Sequence, residues 1–345
     1  MKLYKYRSNI PRDIRTLVNN KLFAPNKKQL NDPTEMSFDD SEFLNLLGKN
    51  STFSTPVKKG FDDIKHFTQE KNGIFSLSKD VKNELLWAYY ANGHKGFCIE
   101  YNANIIMESY NYDVIIKDGK LEPNPLIHLV DVDYQDKYPV FSGDLLNKTD
   151  QAAALKCLVG TKSKQWKHEK EVRLIFKKYG YNEIDYRAVT GIYFGMRFGN
   201  KKKKNEVMQK LQGRGIKYYQ MKFLPMSYKM SFDKIEDPYA LAPKFIANRL
   251  PYEGISIIGI PNNYPQYEKY KKMANKALRI VSKEPCINKI ISCRIITPDS
   301  NSMIAIETTA NKDFKVFKKQ DAMKIYRFDI NITTNKIKQR KFKPS

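Results

Sequence analysis

Apolar and polar positions along the first 230 residues fall into short stretches of two periods. Residues 3–6, Leu-Tyr-Lys-Tyr, read as a strand, and Pro11 suits a first helical turn after it. Ile14, Leu17 and Val18 then share one helical face. Leu22-Phe23-Ala24 begins a second strand that Pro25 stops, and Asn31-Asp32-Pro33 is turn chemistry. Residues 36–70 read as helical. Further strands are predicted over 73–78, 96–101, 129–134, 171–176, 189–194 and 217–223. Helices are predicted over 83–91, 152–159 and 205–211, the last with Gly213 beyond its end.

Pro238, Pro243 and Pro251 interrupt the pattern and mark a seam between 233 and 251. Beyond it the pattern predicts a strand (255–260), a helix (267–281), and strands over 290–296, 303–308, around 314–317 and over 323–330. That is a compact α+β unit of about a hundred residues. The lysine-rich end from Lys336 to Lys343 reads as a flexible basic tail. Two bodies are therefore expected, residues 1–232 as the catalytic one and 250–345 as a basic accessory domain. The length, 345 residues, accommodates both.

Charge narrows the partners. Lys plus Arg number 61 against 37 Asp plus Glu, a net +24. The last 113 residues hold 22 basic and 11 acidic side chains and are nearly twice as basic per residue as the rest. Such a surface attracts phosphate, so nucleic acid is the expected partner and an anionic membrane surface the second candidate. No apolar run approaches the roughly 20 residues of a membrane span, and the first residues lack the apolar core of a signal peptide. Cys98, Cys157, Cys286 and Cys293 form no C-x-x-C pair, and the four His are isolated. Reduced thiols in a cytoplasmic protein are expected rather than a zinc site.

Four segments stand out. They are Tyr4-Lys5-Tyr6-Arg7-Ser8; Leu30 to Glu35; Phe75-Ser76 with Leu86-Trp87-Ala88-Tyr89-Tyr90 and His94 to Glu100; and Lys164 to Ile175. On one continuous strand, Glu169, Glu171 and Arg173 would share a face. Two carboxylates so placed raise each other's pKa unless a cation such as Arg173 lies between them. The pair can grip a ribose hydroxyl and steady an oxocarbenium-like transition state, with the second carboxylate orienting the nucleophile. It can equally hold Mg²⁺ together with Asp32 or Glu35, or form an exposed face with a local salt bridge. Trp87, Tyr89 and Tyr90 can be core or the wall of an aromatic-ligand pocket. Lys5 and Arg7 suit a pyrophosphate or a plain exposed strand face. Phosphate-binding glycine loops, H-E-x-x-H and G-x-S-x-G are absent from the sequence, so ATPase, Rossmann, zincin and α/β-hydrolase readings lose their usual support.

Taken in order, these segments resemble the bacterial domain-of-unknown-function family twenty-nine seventy-one over about residues 1–200. The matching residues are Asn31, Asp32, Pro33, Trp87, Tyr90, His94, Gly96, Cys98, Trp166, Glu169, Glu171 and Arg173. Leu30, Leu86, Tyr89 and Val172 depart from the family pattern. The opening also resembles ADP-ribosyltransferase-like proteins, which begin with a strand bearing an aromatic and a basic residue and carry a catalytic Glu on a late strand. That likeness implies an α+β fold built on a mixed, mainly antiparallel sheet with helices. It also implies an NAD-dependent transferase acting on nucleic acid or protein, of the kind found in phage defence or toxin systems. In that reading Glu171 stabilises the ribose, Glu169 positions the acceptor, and Arg173 supports the pair. Lys5, Tyr6 and Arg7 touch the pyrophosphate or adenosine side, and Tyr89 and Tyr90, beside Trp87, wall the nicotinamide.

Two alternatives stay open. One is a Mg²⁺-dependent nuclease using Asp32, Glu35, Glu169 and Glu171. The other is a nucleic-acid-binding module without chemistry. Lys272, Lys276, Arg279 and Lys283, at helical spacing, form a basic stripe for such binding, and the aromatics around them suit stacking on bases.

Overall fold

The computed structural model describes residues 1–8, 11–49, 54–110, 115–117, 120–122, 127–142, 145, 151–297, 302–310 and 323–340. The chain divides into two compact units, Met1–Met107 with Ile127–Lys244, and Glu108–Leu126 with Phe245–Ser345. The break at 244/245 lies within the proline-interrupted seam.

The first unit opens with β1 (Lys2–Arg7), α1 (Pro11–Val18), β2 (Lys21–Ala24), α2 (Ser41–Lys49) and α3 (Ser54–His66). It continues through β3 (Gly73–Ser78), α4 (Glu84–Tyr90), β4 (Phe97–Asn102) and the start of α5 (Ala103–Tyr110), whose last three residues group with the second unit. A hairpin, β5 (Ile115–Lys117) and β6 (Lys120–Glu122), groups with the second unit. Then come β7 (Ile127–Asp131), β8 (Asp133–Gln135), α6 (Gln151–Val159), β9 (Thr161–Ser163), β10 (Glu171–Phe176) and β11 (Gly180–Glu183). β12 (Val189–Phe194), α7 (Lys201–Lys210), β13 (Lys217–Phe223) and β14 (Met230–Ile235) complete it.

Eight strands form one sheet in the order β14-β13-β12-β4-β1-β3-β10-β7. Its pairs are antiparallel except β12 with β13, which the crossover helix α7 joins in parallel. The fold is therefore mixed α+β around a mainly antiparallel sheet, as expected. β3, β4, β10 and β12 are buried along nearly their whole length, so both faces are covered. One cluster joins Met36, Phe43, Phe61, Ile74, Phe141 and Ile175; another joins Tyr6, Leu86, Trp87, Cys98, Tyr193 and Met221. The four cysteines are buried free thiols. Among the described residues no helix is long and apolar enough to cross a membrane.

One irregularity creates the site. β1 pairs with β4 along six residues, Lys2 to Arg7. On its other side β3 pairs with β10 along six, yet β1 and β3 meet only at Tyr4 and Ser78. From that point the sheet splits, and a slot opens between Lys5-Tyr6-Arg7 and Ser76.

The second unit contains β15 (Ile257–Ile258), α8 (Tyr267–Val281), β16 (Ile287–Ile296), β17 (Met303–Ala310), β18 (Met323–Asn331) and β19 (Lys336–Gln339). The five strands form a sheet in chain order. α8 buries Tyr270, Met273, Ala274, Ala277, Leu278 and Val281 in a core with Ile290, Cys293, Ile304, Ile306, Tyr326 and Phe328.

Several expectations are corrected. The 129–134 stretch is two strands: β7 joins the large sheet, whereas β8 pairs in parallel with β9. The sheet of the first unit runs past 232, because β14 pairs with β13 through Ile235. The chain from Lys336 to Gln339 is an edge strand on β18 rather than a flexible tail. The strand expected around 314–317 lies outside the described residues, as does the end of the chain from 341.

Candidate functional site

A cavity of about 470 Å³ occupies the slot between β1 and β3. Tyr4, Lys5, Tyr6 and Arg7 line one side, Ser76, Leu77 and Ser78 the other, and Arg12, Phe23, Leu86 and Tyr90 belong to its walls. Its floor is charged: Glu35, Lys162, Glu169 and Glu171 all open onto it, each nearly buried.

Each floor residue arrives by a different local device. Asp32 accepts hydrogen bonds from the amide (2.9 Å) and hydroxyl (2.7 Å) of Thr34, and this Asx turn projects Glu35. Lys162 sits at the middle of the short strand β9. Glu169 ends a 3₁₀ turn, not a strand. Lys170 follows in the left-handed region (φ 47°), and Glu171 begins β10. The turn is pinned by Ser78 Oγ donating to the Glu169 carbonyl at 2.7 Å and by the Lys79 amide donating to that of Lys170. Alternation therefore explains Glu171 and Arg173, whereas Glu169 joins them through the Lys170 kink. That corrects the expectation of one continuous strand.

The Lys162 ammonium touches three carboxylates, Glu169 at 2.6 Å and Glu35 and Glu171 at 3.2 Å each. Beneath it the fully buried Arg173 binds Glu171 (Nε to Oε1, 2.8 Å), Glu35 and the Val159 carbonyl. Tyr90 donates to Glu169 at 2.8 Å, and the Glu171 amide donates to the Tyr134 hydroxyl at 2.7 Å. Three carboxylates against two cations leave one net negative charge when all are ionised.

The protonation states follow. Burial alone would raise Glu171, but Arg173 and Lys162 hold its carboxyl down at about 2. Burial, assisted by Glu171, raises Glu35 despite the same two cations. Burial opposes the charge on Lys162, yet Glu171, Glu35 and Glu169 together raise its pKa. Lys5 behaves oppositely. Burial and the neighbouring Arg7 lower its ammonium to about 7, even with Glu171 and Glu169 in range. Its Nζ reaches into the slot, donates to the Ser76 carbonyl at 2.7 Å and lies 5.1 Å from the Phe75 ring centre.

Of the sequence candidates, Lys5, Tyr6, Arg7, Glu35, Tyr90, Glu169 and Glu171 line one cavity. Arg173 supports them from beneath. Trp87 and Tyr89 lie elsewhere: Trp87 is wholly buried, donating to the Val81 carbonyl, and Tyr89 is 62% exposed. Asp32 builds the turn and is not among the lining residues. Among the described residues no group of three or more His, Cys, Asp or Glu is disposed to hold a metal ion. Lys162 and Arg12 were invisible to motif reasoning, since a lone lysine in Thr-Lys-Ser carries no periodic or spacing signal.

Lys272, Lys276 and Arg279 are exposed on α8, and Lys283 is exposed two residues past its end.

Residues 86–174 match the model of a family described as protein of unknown function (DUF2971). That segment, about a quarter of the chain, is similar to the family and carries Tyr90, Lys162, Glu169, Glu171 and Arg173. No curated protein and no solved structure matches the chain.

Proposed function

We propose that the first unit is an ADP-ribosyltransferase-like enzyme that uses NAD and delivers ADP-ribose to a nucleic-acid or protein acceptor. The observation that carries this reading is the split-sheet cavity, which sets a carboxylate cluster below a basic rim. NAD, when bound, supplies a ribose whose bond to nicotinamide is the one to be broken. The residues present fit such a ligand. Arg7 and Arg12 at the rim are held only loosely by Asp13, at 3.9 Å each, and are suited to a diphosphate. Tyr4, Tyr6, Phe23 and Tyr90 provide aromatic wall.

Glu171 stays ionised at neutral pH, so its role is to accept a hydrogen bond from a ribose hydroxyl and stabilise positive charge developing at the sugar, not to move a proton. Glu169, aligned by Tyr90 and Lys162, orients the acceptor. Lys5 changes protonation near neutrality and is placed to take the acceptor's proton. The Lys162 ammonium occupies the position between the carboxylates that a shared metal ion would take, which favours this reading over a Mg²⁺ nuclease.

The test is incubation of the full chain with NAD labelled in its adenylate, plus RNA, DNA or protein, in parallel with EDTA and with Mg²⁺. Label should pass to one acceptor class. Glu171→Gln should lower turnover by ~10²–10³-fold, the scale of losing one electrostatic stabiliser. Divalent-dependent strand cleavage with NAD untouched would overturn the reading.

A further inference from the structure

The second unit carries a surface that the chemistry of the cavity does not use. α8 spends one face on the core, and its other face is cationic. At ~100° per residue, Lys269, Lys272, Lys276, Arg279 and Lys283 project within an arc of about 80°, the helical turn running on through Ser282, whose amide still donates to the Leu278 carbonyl. All five are exposed, and the buried residues of α8 lie on the opposite side. Among the described residues none of the five is paired with a carboxylate. The ion pair on this helix joins Lys271, outside the arc, to Glu268 at 3.9 Å. Lys272 to Lys283 spans about 16 Å at ~1.5 Å rise per residue, with a cation about every 5–6 Å. That is a row of like charges in a protein that is already +24.

We propose that this face of α8 is a docking surface for the phosphate backbone of duplex nucleic acid. Charge complementarity is the ground, and the composition of the face selects the partner. A helix that lies in a membrane surface adds to its cations apolar side chains that enter the headgroup region. Here the exposed face offers one partly exposed aliphatic residue, Ile280, because the apolar residues of α8 are committed to the sheet. Discrimination among all four base pairs draws on acceptors as well as donors, and Asn275 is the exposed residue of the helix that supplies both. What remains is a line of cations suited to a regular line of phosphates, without sequence preference. This inference does not rest on the proposed transferase activity, and binding is measured without NAD.

The experiment is a salt titration of the full chain with a 20-base-pair duplex by fluorescence anisotropy. The parent is compared with the fourfold variant Lys272→Gln, Lys276→Gln, Arg279→Gln, Lys283→Gln. A charge-matched control carries Lys58→Gln, Lys59→Gln, Lys201→Gln and Lys202→Gln, all exposed positions of the first unit. Each phosphate contact contributes about −0.9 to the slope of log K against log salt, so the fourfold variant should flatten the slope by roughly three to four units. The control should leave it nearly unchanged. Because all eight positions are exposed, melting curves should coincide with that of the parent. A variant slope equal to the parent's would overturn the proposal, as would an equal flattening in the control, which would make the effect one of net charge. Loss of binding to phosphatidylserine vesicles in the fourfold variant, with duplex binding intact, would assign the face to a membrane instead.

Discussion

Replacing Lys162 with Met tests whether its ammonium is what allows three carboxylates to share the floor of the cavity. The side chain is 5% exposed and contacts Glu35, Glu169 and Glu171 within 3.2 Å. Met preserves bulk and removes charge. Breaking a buried ion pair at one partner costs about 3–5 kcal/mol, because the remaining charge is stranded. Here three carboxylates would be left to Arg173 alone. The variant has an escape, which is to take up a proton. A carboxyl with an ordinary pKa of 4.5 costs about 3.4 kcal/mol to protonate at pH 7 but only about 0.7 at pH 5, at ~1.36 kcal/mol per unit.

The destabilisation should therefore shrink by up to about 2.7 kcal/mol between pH 7 and pH 5. In the variant the folded state binds more protons than the unfolded one, so its stability falls as pH rises, which agrees in sign. The assay is urea unfolding of parent and variant at pH 5, 6, 7 and 8, followed by tryptophan fluorescence. Both tryptophans belong to the first unit, and Trp166 lies 4.8 Å from the Lys162 ammonium. A loss below about 1 kcal/mol at pH 7, under the range for a broken buried pair, would refute the reasoning. So would a loss independent of pH.

The lowered pKa of Lys5 penalises its charged form in the folded state, fully below about pH 7 and vanishing toward its unfolded value of 10.5. The stability of the parent relative to Lys5→Met should thus rise between pH 7 and 10.5, and thermal melts across that range check it. If Lys5 also accepts a proton in turnover, kcat in the parent should climb through about pH 7, and the climb should disappear in Lys5→Met. Limited proteolysis should cut between Asp237 and Pro251, beyond the last strand of the large sheet, and leave two fragments that each melt cooperatively; a single co-unfolding body would contradict separable domains.

Much of the fold is legible where short buried strands are bounded by glycine or a turn. Strands 73–78, 171–176, 189–194 and 217–223 and helix 267–281 carry the limits read from periodicity. Each has an apolar pattern interrupted sharply at both ends. The 129–134 stretch alternates evenly, and nothing local marks its break at Val132, whose amide turns to the Glu171 carbonyl. Lys336 to Gln339 looks like a basic tail because half its residues are lysine. It is ordered by backbone pairing to β18, a contact to which side-chain composition is blind. Tyr89 and Tyr90 are indistinguishable by type, and a single 100° step around α4 sends one to solvent and the other to Glu169.

The site exposes a different limit. Read as a pair, Glu169 and Glu171 repel, and each should raise the pKa of the other unless a cation intervenes. Arg173, two residues on, is the cation within sight of the motif, and it does bind Glu171. The motif does not contain Lys162 or Glu35, which the Asx turn and β9 bring in from 134 and seven residues before Glu169. With them present, protonation is divided unequally: Glu171, gripped by both cations, is pushed down, and Glu35, buried beside it, is pushed up. The protonation of the cluster is thus set by a charge balance that no spacing within the motif encodes. A two-residue pattern can nominate the carboxylates, but that Glu171 is held ionised is decided by the partners that the fold supplies.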